Sequence, residues 1–120
     1  MSVESFKLAE TDLTANQRET IVLDQNGEKC ALIKIETTLH SFSFDTGSLG
    51  ISKVLYQNDE HPGEIWLYVP HGVKKITIQH PQLGTIRDYD LGLSVKKGKT
   101  YKVALRHMNE TSTSKVRIKK

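Results

Sequence analysis

The chain has 120 residues, of which 26% are charged, 37% hydrophobic and 7% aromatic. These shares are typical of one globular domain, and they exclude both a disordered chain and a helical membrane protein. No apolar run approaches the roughly 20 residues of a membrane helix, so we expect no membrane span. The first residues contain no basic-then-apolar leader. We therefore expect no signal peptide within this chain, while noting that a leader removed earlier would leave the same start.

The charge is unevenly distributed along the chain, although the net charge is only +3. Residues 1–90 hold 8 Lys/Arg and 13 Asp/Glu, whereas residues 91–120 hold 9 Lys/Arg and the single acid Glu110. A basic stretch of this kind can meet phosphate, anionic lipid or an acidic polymer, and it is equally typical of a solvated last strand with a tail. We predict one domain over residues 1–107 and a basic tail or linker over residues 108–120.

Strand and turn patterns fill the chain in order. Asn26-Gly27 separates residues 21–23 from the alternating run 30–35, which is the strongest short-range signal for a hairpin. Residues 8–18 contain helix-capping residue types and predict a turn at most. The later strand-like runs, separated by Gly, Pro and polar residues, are 41–45, 51–57, 64–69, 74–79, 85–89 and 100–105. This spacing predicts an all-β fold: a single antiparallel β-sandwich of seven to eight short strands, immunoglobulin-like or transthyretin/carboxypeptidase-regulatory-like.

The run 64–69 is apolar at nearly every position, so both faces of this strand must be covered or one face must meet a ligand. Trp66 and Tyr68 lie two residues apart and therefore share one face. If that face is closed, it forms half of the sandwich core. If it is open, it is a platform on which a sugar or a peptide can stack.

Residues with catalytic or metal-binding chemistry are few. Cys30 is the only cysteine and cannot form an internal disulfide, so we interpret it as a small buried hydrophobe. His61 and His80 each precede a proline and, with Asp59 or Glu60, form a conceivable divalent-metal site. Two loop histidines without a metal explain the same pattern. No nucleophile elbow or phosphate loop is present, so the only acid/base hypothesis pairs His80 with Asp88. We predict no enzyme activity, no cofactor and no metal.

Five segments carry a more specific signal than strand spacing: residues 24–35, 44–51, 62–70, 75–84 and 87–89. Together they resemble a small N-terminal β-domain of envelope-associated proteins in Bacteroidetes. In those proteins the domain often precedes PEGA-type β-sandwich repeats, tetratricopeptide-like repeats or sulfatase-modifying-factor-like domains. The resemblance implies a β-sandwich, an extracytoplasmic or cell-envelope location, and a supporting or binding role within a larger protein.

The sequence and the resemblance together predict a non-catalytic binding or scaffold module that contacts a protein or an envelope glycan. The alternative is a carbohydrate- or peptidoglycan-binding module that uses the aromatic face of Trp66 and Tyr68. We expect no nucleic-acid partner, because Tyr101 is in phase with core positions rather than interleaved with lysines on an open face. An unpaired edge strand could also form a weak homodimer. The predicted ligand surface comprises His61, Trp66, Tyr68, His80, Arg87 and Asp88.

Overall fold

A computed structural model describes residues 1–106; the predicted tail over residues 108–120 lies outside this range. Two short 3₁₀ turns occur at Thr14–Asn16 and Gly47–Leu49. The remaining regular structure consists of strands. They are β1 Ser2–Leu8, β2 Ala31–Glu36, β3 Ser43–Asp45, β4 Lys53–Leu55, β5 Glu64–Val69, β6 Lys75–His80, β7 Gly84–Asp90 and β8 Thr100–Arg106.

The strands form two sheets. The larger sheet has five strands in the order β1-β8-β2-β5-β4, and the smaller has the order β3-β6-β7. This confirms the predicted all-β class. The pairing differs in one respect, because β2 and β8 are parallel and the larger sheet is therefore mixed. Residues 37–99 of the chain separate these two strands, so no turn signal in the sequence could indicate how they pair.

One hydrophobic cluster receives side chains from both sheets. In the larger sheet, Ile33 and Ile35 of β2 lie beside Ile65 and Leu67 of β5, and all four are buried. The smaller sheet contributes buried isoleucines of β6 to the same cluster. The alternation of apolar and polar residues in β6 thus reflects a half-buried strand, whose isoleucines face the cluster.

The predicted hairpin at Asn26-Gly27 forms, but its first arm is not a strand. The amide of Gly27 donates to the carbonyl of Asp24 (3.0 Å), and Gly27 takes the left-handed conformation (φ 79°) that glycine adopts without strain. Beyond a single bridge between Leu23 and Lys29, the arm leaves the ladder. It continues across the outer face of the larger sheet instead.

Two strands contain an irregular register. In β1 the shift lies between Val3 and Ser5. In β7 it lies opposite the Ile76–Ile78 stretch of β6, where Arg87 and Asp88 both face Thr77. An extra residue of this kind is a β-bulge. Strand β1 was not predicted from the sequence, because its bulge interrupts the alternation of apolar and polar residues.

Candidate ligand-binding groove

The outer face of β5 is covered by a chain segment and not by a second sheet. Residues 13–30, which we call the cover segment, cross this face and bury Ala15 and Cys30 against Leu32 and Tyr68. The opposite face of β5 points into the cluster shared by the two sheets. The continuous apolar sequence of β5 is therefore explained by burial on both sides.

Tyr68 is 1% exposed and lies beneath the cover segment. Its hydroxyl donates a hydrogen bond to the backbone carbonyl of Thr20 at 2.7 Å. Burial, together with the nearby acidic groups of Cys30 and Asp12, raises the pKa of Tyr68 to about 12. Tyr68 therefore joins the cover segment to the sheet and does not present its ring at the surface.

Trp66 is half-buried at the margin of the cover segment. The imidazole of His61 stacks on the indole with a centroid separation of 4.5 Å and an interplanar angle of 19°. The ammonium of Lys34 lies 4.8 Å from the ring centroid, and the indole N–H donates to Oε1 of Glu64 at 3.1 Å. The indole is held in one orientation by these three contacts.

A groove of about 430 Å³ opens beside this indole, and we call it the Trp66 groove. Its apolar lining includes Trp66, Leu55 and the almost fully buried Tyr68. Its polar lining, which can donate and accept hydrogen bonds, consists of Glu19, Thr20, Lys53, Asn58, Glu60 and His61.

The loop on one side of the groove is fixed by its own hydrogen bonds. The side-chain oxygen of Asn58 accepts from the amides of Glu60 (2.8 Å) and His61 (3.1 Å). Nδ1 of His61 lies 3.1 Å from the carbonyl oxygen of Glu64 and must carry a hydrogen to bond there. His61 is thus positioned before any ligand arrives.

An ion pair anchors the start of the cover segment. Nζ of Lys34 lies 2.7 Å from Oδ2 of Asp12 and 3.0 Å from Oγ1 of Thr14, and both charged side chains are largely buried. Burial alone would raise the pKa of Asp12. The hydrogen bonds from Lys34 and Thr14 outweigh it, so the pKa lies below its ordinary value.

The other predicted ligand-surface residues lie away from this groove. His80 is the last residue of β6 and is buried, because the alternation that turns Ile76 and Ile78 inward also turns His80 inward. Its Nδ1 accepts from the amides of Gln82 (3.1 Å) and Leu83 (3.2 Å), and its ring meets Phe42 edge-on. His80 therefore closes the β6–β7 turn.

Arg87 and Asp88 are exposed at the bulge of β7. Asp88 has a φ of 50°, and its amide donates to Oγ1 of Thr77 at 2.9 Å. Gly84 is the register partner of His80, so Asp88 lies four residues, roughly 13 Å, further along β7. His80 and Asp88 are too far apart for the acid/base pair that the sequence left open.

The remaining chemistry-bearing groups also lie apart. Burial raises the pKa of the Cys30 thiol, which weakens it as a nucleophile at neutral pH. Within residues 1–106, no three His, Cys, Asp or Glu side chains are close enough together to hold a metal ion. The hypothetical site of His61, His80 and an acid is therefore not assembled: His61 stacks on β5 of one sheet, while His80 ends β6 of the other.

Sequence reasoning identified Trp66 and His61 but missed Glu19, Lys53 and Asn58, which line the same groove. The usable signal was the apolar run of β5 together with Ile21-Val22 upstream, a second apolar stretch that needed a surface to cover.

In the part of the chain that is described, no helix has the length and apolar character needed to traverse a bilayer. Comparisons with protein-family models, curated proteins and solved structures find no match for this chain.

Proposed function

We propose that the chain is a non-catalytic binding or scaffold module of a bacterial cell-envelope protein, acting outside the cytoplasm. The observation that carries the binding role is the Trp66 groove, where a fixed, half-buried indole lies beside charged and amide side chains. The envelope location rests on the resemblance of the hairpin and of strands β5 to β7 to the Bacteroidetes β-domain.

We also propose a more specific fold, a single β-sandwich of immunoglobulin-like or transthyretin/carboxypeptidase-regulatory-like type. It is supported by the single cluster to which the inner faces of both sheets contribute. In such a fold the outer faces and the loops are free for recognition. The Trp66 groove lies on an outer face.

A non-catalytic role is supported by how the reactive groups are used. The pKa of Cys30 is raised by burial, and Nδ1 of His80 accepts two backbone amides. Asp88 is bonded to Thr77 at a bulge. His80 and Asp88 each have a local structural partner in place of a second catalytic group, and Cys30 is a buried thiol.

A protein partner fits the groove better than a stacked sugar. A sugar ring stacks on an open indole face, whereas His61 and Lys34 already contact the indole of Trp66. The glycan alternative is favoured by one feature, the polar lining of Glu19, Asn58 and Glu60, which suits hydroxyl groups. A glycan would then bind beside the ring through hydrogen bonds.

The sheet edges support partner binding less well than the groove does. The two long edge strands, β1 and β7, each contain a bulge, and the other two edge strands have only three residues. Bulges and short edges hinder pairing with another strand. We therefore assign the partner contact to the groove and not to a homodimer through an edge.

Site-specific crosslinking tests the proposal. A photo-crosslinking amino acid replaces Lys53 in the full chain, which is mixed with a bacterial envelope fraction; the matched control carries it at exposed Lys75. We expect a discrete protein adduct from position 53 alone, lost when His61→Ala is added and retained with His40→Ala.

Co-sedimentation with sacculi and insoluble polysaccharides, at low and high salt, tests the alternative. Salt-resistant pelleting that His61→Ala abolishes would replace the protein partner by a glycan. If position 53 gives no specific adduct and the chain does not pellet with the polysaccharides, the groove is not a binding surface.

A further inference from the structure

A second cleft, of about 510 Å³, lies between the hairpin turn and the turn that precedes β8. We call it the lysine cleft, and it shares no lining residue with the Trp66 groove. Its volume is within the range of about 300–1,000 Å³ that is usual for small-molecule sites. Its lining consists of Asn16, Gly27, Glu28, Lys29, Lys97, Gly98 and Lys99.

Backbone hydrogen bonds hold the two lysine-bearing turns against each other. The amide of Gly98 donates to the carbonyl of Cys30 at 3.0 Å, and the amide of Leu32 donates to the carbonyl of Lys99 at 3.0 Å. The amide of Lys97 donates to Nδ1 of His71 at 3.0 Å. The backbone positions of the lysines are therefore set before a ligand binds, which lowers the entropic cost of binding.

The positive charge in the cleft is only partly neutralised. Nζ of Lys29 donates to the neutral amide oxygen of Asn16 at 2.6 Å. Lys97 lies 3.8 Å from Glu28, but both side chains are more than half exposed, so this pair is weak. Among residues 1–106, no carboxylate lies within 4 Å of the ammonium of Lys29 or Lys99.

The wall of the cleft is open at Gly27, whereas a Cβ at Gly98 would contact Asn16 and Lys29. Gly27 and Gly98 both have positive φ (79° and 72°), which disfavours any other residue, and a Cβ at Gly27 would meet nothing within 4 Å. An anion can therefore reach the wall between the lysine side chains without meeting another side chain at Gly27. Ammonium groups around an open, largely unneutralised cleft form a site for a compact, multiply charged anion.

We propose that the lysine cleft binds phosphate groups; their source in the envelope, a lipid headgroup or a phosphorylated polysaccharide, rests on the proposed function. Lysine binds phosphate as a flexible point charge, which suits a ligand whose oxygens do not have to match a fixed fork. This site is separate from the one in the proposed function, and its test uses different residues.

Binding of inorganic pyrophosphate to the full chain, measured by calorimetry at low salt, tests the site. We expect Lys29→Gln/Lys99→Gln to weaken binding at least about tenfold, the effect of losing charge-assisted contacts. Lys74→Gln/Lys75→Gln removes the same charge from exposed positions elsewhere and should change the affinity less than about threefold. Equal losses in the two variants, or no binding by the wild-type chain, would overturn the proposal.

Two further probes distinguish the sources of phosphate. Vesicles containing phosphatidylglycerol represent the lipid headgroup, and phosphorylated dextran represents the polysaccharide. The probe whose binding depends on Lys29 and Lys99, and not on Lys74 and Lys75, identifies the source. Binding of neither probe, or binding of both without such dependence, would overturn an envelope source for the phosphate bound in the lysine cleft.

Discussion

Trp66 shows how a single side chain can be both structural and exposed. Its buried part belongs to the cluster beneath the cover segment, while its free part lines the groove. The stacked imidazole of His61 and the ammonium of Lys34 fix its orientation. Because Trp66 is the only tryptophan, its fluorescence reports on this one place in the molecule.

We predict that His61→Ala exposes more of the indole. Iodide should quench Trp66 more strongly, and the free energy of unfolding should fall by about 0.5–1.5 kcal/mol with loss of the stacked pair. His40→Ala, at an exposed position, is the matched control and should leave both quantities unchanged. Identical quenching in the two variants would show that His61 does not shield the ring.

Removing only one partner of the Lys34–Asp12 pair should destabilise the fold strongly. Asp12→Ala leaves the Lys34 ammonium, which is largely buried, without its carboxylate, so we expect a loss of about 3 kcal/mol in urea unfolding. Adding Lys34→Met removes the orphaned charge and should restore part of that stability. A double variant less stable than Asp12→Ala would mean that the lysine is stabilised chiefly by the indole and Thr14.

The same pair predicts an acid dependence. The pKa of Asp12 is lowered in the folded state, so the pair contributes stability above the ordinary aspartate value of 3.8. That contribution is lost as the pH falls through 3.8 towards the folded-state pKa. Stability measured between pH 6 and 2.5 should decline less steeply in Asp12→Ala/Lys34→Met than in the wild-type chain; parallel declines would contradict the assignment.

At the scale of the elements, regular alternation was sufficient to predict strands. The run 64–69 matches β5, and the runs 74–79 and 100–105 match β6 and β8 to within one residue at each end. The register shifts in their pairings come from extra residues in the partner strands, in β7 opposite β6 and in β1 opposite β8. Period-two patterns are read directly where the pleat is unbroken.

Bulges explain the elements that the sequence described poorly. In β1, Val3 and Phe6 both pack against the core although they are three residues apart. In β7 the same holds for Ile86 and Tyr89. An extra residue between two inward positions changes the spacing from two to three; this hid β1 and weakened the alternation in the predicted run 85–89.

The bulge in β7 makes Asp88 a backbone-controlled position. Its φ of 50° lies in the left-handed region, which Asp and Gly tolerate and β-branched residues do not. We predict that Asp88→Val lowers the unfolding free energy by about 1–2 kcal/mol, whereas Asp88→Gly costs less than half as much. Thermal unfolding of the two variants, beside Arg87→Val, checks this; equal losses for Val and Gly would attribute the effect to the Asp88 side chain.

At the scale of the whole molecule, one sheet carries a hydrophobic cluster on each face. The all-β class follows from strand spacing, but the cover segment does not, because residues 13–30 contain one 3₁₀ turn and one bridge and no regular period. Strand β2 follows the cover segment directly in the chain, but its partners on β5 are distant in sequence. The parallel pairing of β2 with β8 was hidden for the same reason: non-local contacts decide it.

The two clusters should separate at alkaline pH. Burial raises the pKa of Tyr68 from 10.0 to about 12 and raises that of Cys30 above 9.0, so the folded state retains these protons more strongly than the unfolded chain. The resulting stability is complete below pH 9 and is lost as the pH rises towards 12. Both groups lie under the cover segment, so this segment should detach before the two sheets unfold.

We therefore expect the emission of Trp66 to shift to the red between pH 10 and 12 while the β-sheet circular dichroism signal persists. Tyr68→Phe should flatten this dependence, at a loss of about 1 kcal/mol near neutral pH from the missing hydrogen bond to Thr20. Tyr56→Phe, at an exposed tyrosine, is the control and should follow the wild-type curve. Simultaneous loss of both signals would mean that the cover segment and the two sheets form a single cooperative unit, because ionisation beneath the cover would then unfold the entire domain.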